Sequence, residues 1–288
     1  MSFGLVLGAG GATAWVFHTG VLRTLREEAG IEPAAAGVIV GTSAGASIAA
    51  ALRAGLDVDE IFRAVARPPS EDDRQRMLSE VRASPKTLRP LSPGLTRDAL
   101  PGGRGGVLAL AGLLPPGWFP TAWLESFPGM DRFDTWPDGL WIPAVRASDG
   151  ATVVFGRDRR DIPVHVAVEA SSAVPGLFRP RLIDGVPFID GGVASSTHAD
   201  LLADSGMDRV YVSAPMSKPS RRLFARHARR RLTGEVAALR AAGIQTIVVQ
   251  PSPAAVEAAR GFPRRRPEAA PVIVRHATEA TRLALASA

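Results

Sequence analysis

Twice within the first 55 residues a short apolar run ends in a cluster of small residues and passes into a helix; no other feature constrains the fold as much. The first run, Gly4-Leu5-Val6-Leu7, gives way to Gly8-Ala9-Gly10-Gly11-Ala12, and helical spacing follows over 15–28 through Val21, Leu22 and Leu25 until Gly30 stops it. The second run, Val38-Ile39-Val40, leads into Gly41-Thr42-Ser43-Ala44-Gly45 and an alanine-rich helix that ends near Gly55. Strand, loop and helix alternating in this way imply a mainly parallel sheet with helices on both faces, its functional groups gathered at strand ends. The expected fold class is therefore α/β, a three-layer α/β/α arrangement around a mainly parallel central sheet.

Beyond residue 57 the character changes. Charged helical patterns come first, then a proline- and glycine-rich stretch over 84–106, and the whole of 57–135 reads as an insertion. Inside it, the run from Val107 to Leu114 with Trp118, Phe119 and Trp123 is apolar enough to cover a site or touch lipid, and equally suits a helix packed on the sheet. Strand character returns at Trp141-Ile142, Val153-Val154-Phe155, Ile183 and Phe188-Ile189, with a helix over 163–172 between them. Strands at 209–213 and 246–249 then bracket an arginine-rich helix. A chain of 288 residues can form one large α/β domain or two small ones, and a single domain over 1–288 is expected.

Gly41-x-Ser43-x-Gly45 between strand and helix fits a nucleophile elbow, a sharp turn that lifts a serine hydroxyl above the sheet edge. Small flanking residues let neighbouring backbone approach, and the helix N-terminus points its positive end at the developing oxyanion. By itself the pattern suits a helix-capping turn equally well. The loop at 8–14 can aim backbone N–H groups of Gly10 and Gly11 at an oxyanion or at a dinucleotide pyrophosphate. Against the nucleotide stand Thr13 at the third fingerprint position and a second strand ending in Gly41-Thr42-Ser43 rather than in a ribose-binding acid. Of the five histidines, only His198, eight residues after Asp190, lies close enough in sequence to a candidate acid to complete a triad. Asp190-Gly191-Gly192 puts an acid at a strand end before two glycines, where close backbone approach is wanted or a tight turn is made.

Together these motifs resemble the patatin-like phospholipase family. The resemblance runs through residues 4–11, His18-Thr19-Gly20-Val21-Leu22, Val40 to Gly45, Ala170-Ser171-Ser172-Ala173-Val174-Pro175-Gly176 and Phe188-Ile189-Asp190-Gly191-Gly192-Val193. It covers residues 4–55 and about 136–216 well, the C-terminal third loosely and the insertion hardly at all. It implies a patatin-like fold and a lipid acyl hydrolase with Ser43 as nucleophile, Asp190 as base and Gly10 and Gly11 as oxyanion donors. Gly41 and Gly45 would frame the elbow, and Gly191, Gly192 and His198 would support the site. A Ser-His-Asp esterase using His198 and a catalytically silent lipid-binding protein are the alternatives. Thr13 and Ala14 depart from the basic residue and glycine that often follow the family's oxyanion glycines, which shifts expectation for headgroup preference but leaves the main-chain donors.

Cysteine is absent, which removes disulfides, thiolate metal sites and a cysteine nucleophile. With no H-E-x-x-H and no clustered carboxylates, no metal and no cofactor is expected. A net charge of +6 concentrates in Arg226-Arg229-Arg230-Arg231 and Arg264-Arg265-Arg266, runs that ordinarily form solvated faces. They leave contact with an anionic membrane surface open. Nucleic acid is not expected, because no aromatic-interleaved basic motif accompanies the charge. A mean hydropathy near zero, the lack of a membrane-length apolar run and an N-terminus without a basic n-region predict a cytoplasmic chain.

Overall fold

The computed structural model describes residues 2–67, 70–71, 75, 78–79, 81–82, 89–92, 94–96, 105–217, 223–260 and 266–287. Strands β1 (Phe3–Leu7), β2 (Val38–Gly41), β3 (Leu140–Arg146), β7 (Arg209–Ser213) and β8 (Gln245–Val249) pair in parallel in the order β3-β2-β1-β7-β8. An antiparallel portion completes the sheet: β4 (Thr152–Phe155) and β6 (Val186–Asp190) both pair with β3, and β5 (Arg181–Ile183) pairs with β6. The sheet is thus mixed, parallel through its centre and antiparallel beyond β3. Two of these pairings follow from short connections: the Asp184-Gly185 turn joins β5 directly to β6 and the turn at 147–151 joins β3 to β4, leaving no room for a crossover helix.

Two apolar clusters show why β1 carries no polar residue. Leu5 and Leu7 face helices α1 (Gly11–Ala29), α2 (Ala44–Arg53) and α8 (Arg266–Ala286), where they meet Val21, Leu25, Ile48 and Ile273. Val6 points the other way, with Val40, Val210 and Val212, against Leu232 and Leu239 of α6 (Leu223–Ala241). Strand side chains alternate between faces, so a strand covered on both sides is apolar at every position.

The first loop is shorter than its sequence suggests. Residues 11–14, expected to lie in a loop over 8–14, form the first turn of α1, because Gly10 supplies the bend and Ala12 and Ala14 favour helix. Described parts of 57–135 pack into the hydrophobic core. Helix α3 (Val58–Ala66) starts with a capping box between Asp57 and Glu60 and buries Ile61 and Val65 in the main core. In α4 (Gly105–Leu113), Val107 and Ala111 pack with Val145, Ile189 and Val193, so the apolar run is largely a helix seated on the sheet. Most of the proline- and glycine-rich stretch 84–106 lies outside the described residues, as do Arg264 and Arg265. Helices α5 (Val164–Ser171) and α7 (Pro253–Ala258) lie between the strands and before the last helix. None of the described helices is long and apolar enough to cross a membrane.

Candidate active site

Register decides which loops meet. Leu7 is level with Gly41 on one side and with Ser213 on the other, so the turns after β1, β2 and β7 emerge side by side. β2 rises alongside β3 and stops at Gly41. β6 descends along β3 in the opposite sense and stops at Asp190, which is level with Ala144. Ser43 and Asp190, 147 residues apart, thereby come face to face.

Ser43 occupies the turn at φ 55 and ψ −119, a strained conformation that costs a non-glycine residue ~1–3 kcal/mol and is held by its surroundings. Its N–H donates to Ser171 Oγ at 2.9 Å, and Ser171 in turn donates to Pro143 O at 2.7 Å. Thr42 N–H donates to Leu7 O at 2.9 Å. Gly45 must be glycine, because a Cβ there would lie 1.9 Å from Leu7 O. Gly41 closes β2 beneath the turn.

The Ser43 hydroxyl donates to Asp190 Oδ2 at 2.7 Å, both side chains being buried. Gly192 N–H donates to Asp190 Oδ1 at 2.6 Å. Gly191 lets the turn press against β3, since a Cβ would come within 2.4 Å of Pro143 O. Burial pushes the Asp190 carboxyl up to about 6, while the bonds from Ser43 and Gly192 pull it the other way. Gly10 and Gly11 stand at the N-cap and first position of α1, where N–H groups have no carbonyl one turn earlier to bond. Both line the same cleft as Ser43 and Asp190.

His198 does not reach the serine. Its Nδ1 lies 3.2 Å from Thr42 Oγ1, and burial pushes the ring down to about 4, which keeps it neutral near pH 7. Sequence reasoning passes over two residues that build the site. Ser171 anchors the elbow backbone, and buried His18 joins Gly8 O and Ser213 Oγ, each at 2.8 Å. His18 is likewise held neutral by burial, at about 4, so Nε2–H donates to Gly8 O and Nδ1 accepts from Ser213. The available signal for both was their place inside the family motifs.

The cleft holds about 1920 Å³ and is lined mostly by apolar residues, with Ser43 and Asp190 among its polar ones. Trp15 packs edge-on against Trp123 and at a tilt against Phe127, with ring centroids 5.8 and 5.4 Å away, and all three line the cleft. A serine hydroxyl hydrogen-bonded to a buried carboxylate beside a helix N-terminus is an arrangement that can attack an ester carbonyl.

A family model described as patatin-like phospholipase matches residues 5–203. No curated protein matches the chain. Among solved structures, VipD from Legionella pneumophila is 14% identical, with 99% of this chain and 66% of that chain covered and a TM-score of 0.49. The type III effector protein ExoU is 16% identical, with 98% and 53% covered and a TM-score of 0.41. The chain therefore spans less than two thirds of the length of either.

Proposed function

This chain belongs to the patatin-like phospholipase family, and on that premise we propose that it is a lipid acyl hydrolase working through Ser43 and Asp190. The observation that carries the reading is the buried 2.7 Å hydrogen bond between Ser43 Oγ and Asp190 Oδ2 in a largely apolar cleft. In the proposed cycle, Ser43 Oγ attacks the ester carbonyl carbon and its proton passes to Asp190. Gly10 and Gly11 N–H groups receive the oxyanion. Collapse expels the alcohol, which takes the proton from Asp190 and leaves an acyl-enzyme. Water attacks that ester with Asp190 again as base, releasing the fatty acid and restoring the serine.

An ordinary aspartate is too weak a base for this work near neutral pH, and the desolvated Asp190, raised to about 6, is better matched. The deprotonated carboxylate is the active form, so activity is lost as pH falls through its pKa. Fatty-acid release from phospholipid vesicles is expected, with kcat/KM level above pH about 6 and falling with unit slope below it. A profile flat far into acid would remove Asp190 as the base. His198, bonded to Thr42, supports the elbow in this reading rather than supplying a triad.

We also propose peripheral contact with an anionic membrane surface, placing the chain in the cytoplasm with reversible attachment. Exposed Leu177 and Phe224 line the mouth of the cleft, and exposed Arg226 and Arg230 follow on α6. Co-sedimentation with anionic vesicles at low salt is expected, weakened by Phe224→Ser. Equal recovery in the supernatant with and without vesicles would dismiss the contact.

A further inference from the structure

Helix α6 reads in sequence as a basic, solvated helix, yet one of its faces is turned inward. His227, Arg231 and Glu235 recur every fourth residue and so share a side of the helix. That side lies against the segment 194–199. His227 Nε2 donates to Ala194 O at 3.2 Å, and Arg231 Nε stands 4.0 Å from Glu235. Glu235 itself is 3% exposed. Its carboxylate accepts from Ser195 Oγ, from Thr197 Oγ1 at 2.5 Å and from Ala199 N–H at 2.9 Å.

We infer that Glu235 is a positioning residue for the reaction: its carboxylate fixes segment 195–199, and that segment sets the relative placement of Gly10, Ser43 and Asp190. The inference rests on the Ser43–Asp190 reading above and adds a residue beyond the matched span of 5–203. The segment bonds the immediate neighbour of each group. Ser196 O accepts from Ala9 N–H at 2.8 Å, one residue before Gly10. His198 Nδ1 meets Thr42 Oγ1, one residue before Ser43. Ser195 N–H and Ala194 N–H donate to Gly191 O at 3.2 and 3.0 Å, one residue after Asp190.

Donor counting explains why a carboxylate stands here. Ser195 Oγ already accepts from Thr197 N–H and His198 N–H, each at 3.2 Å, so both lone pairs are used and its own proton needs an acceptor. Ala199 N–H needs another. A carboxylate offers acceptors on both oxygens, whereas an amide turns two hydrogens onto either Ser195 Oγ or Ala199 N–H and leaves a buried donor unpaired.

Glu235→Gln in the full chain tests this. Active serines are titrated with a fluorophosphonate, kcat and KM are measured per titrated site, and Tm is recorded. The expected result is a kcat lower by about 10- to 100-fold, as small misplacements of reacting groups produce, with KM within about twofold and the acid midpoint of the pH profile unmoved. A lowered Tm with unchanged kcat per titrated serine would make Glu235 merely structural and overturn the inference. Should the variant fail to fold, Thr197→Val, which deletes one donor to the same carboxylate, decides by the same readouts: a reduced kcat supports the inference and an unchanged one overturns it. A wild-type chain that neither labels nor turns over would sink the Ser43–Asp190 reading and this inference with it. An active wild type with an unimpaired Glu235→Gln would sink the inference alone.

Discussion

Ser43→Ala is expected to abolish fluorophosphonate labelling and to lower ester hydrolysis by about 10⁴- to 10⁶-fold, the range found when a nucleophile of an acyl hydrolase is removed. The change deletes one oxygen and leaves the elbow standing, because the bonds that hold it are made by backbone. Ser43 N–H still donates to Ser171 Oγ, and Thr42 N–H to Leu7 O. Alanine also tolerates the φ of 55 no worse than serine does. Asp190 loses the donor on Oδ2 but keeps Gly192 N–H on Oδ1, so its carboxyl should rise further rather than leave the site. The folded structure, read by circular dichroism and thermal melting, should survive while turnover disappears. Label retained in the variant would move the nucleophile elsewhere, to a serine such as Ser172 that also lines the cleft.

The parts of this architecture legible in sequence are those whose physics is local. Val38-Ile39-Val40 must be a strand covered on both sides, which follows from adjacent residues; Gly45 is legible through the Gly41-x-Ser43-x-Gly45 pattern, although the group that demands it, Leu7 O, lies on β1. Asp190 at the end of β6 is legible in the same way. Its antiparallel descent along β3 is not, because strand order is set by long-range pairing that a strand's own residues do not encode. Glu235 shows the limit most clearly. Its neighbours Arg229, Arg230 and Arg231 mark the helix as solvated, and only the inward turn of one face reveals an acid that gathers three donors. His198 shows the limit from the other side. Proximity to Asp190 in sequence suggests a base, while the left-handed backbone at φ 54 turns its ring to Thr42. The apolar run at 107–114 suits a cover or a packed helix equally by composition; Val107 and Ala111 pack against β3 and β6, and the same two residues and Leu114 line the cleft.

Asp190→Asn separates catalysis from stability more sharply than any other single change. The amide keeps its oxygen on Gly192 N–H and turns its NH2 toward Ser43 Oγ, which then accepts instead of donating, so the packing is preserved. It cannot take the serine's proton, and kcat is expected to fall by about 10⁴-fold. Stability should move the other way. The folded Asp190 carboxyl sits at about 6 against 3.8 for an unperturbed one, so between those pH values the folded chain retains a proton that the unfolded chain has released. Asp190's contribution is present below pH 3.8 and is lost as pH rises through about 6, a loss of roughly 3 kcal/mol for two pKa units. Asparagine has no such loss. The variant's Tm should therefore match the wild type's in acid and exceed it by several degrees above pH about 6. His198→Ala supplies the contrast, since a neutral ring bonded to Thr42 acts on the elbow and not on the proton: it should keep the acid limb of the pH profile, which Asp190→Asn removes along with the activity. If Asp190→Asn stayed fully active while His198→Ala lost its activity, the base would be the histidine and the enzyme a triad hydrolase.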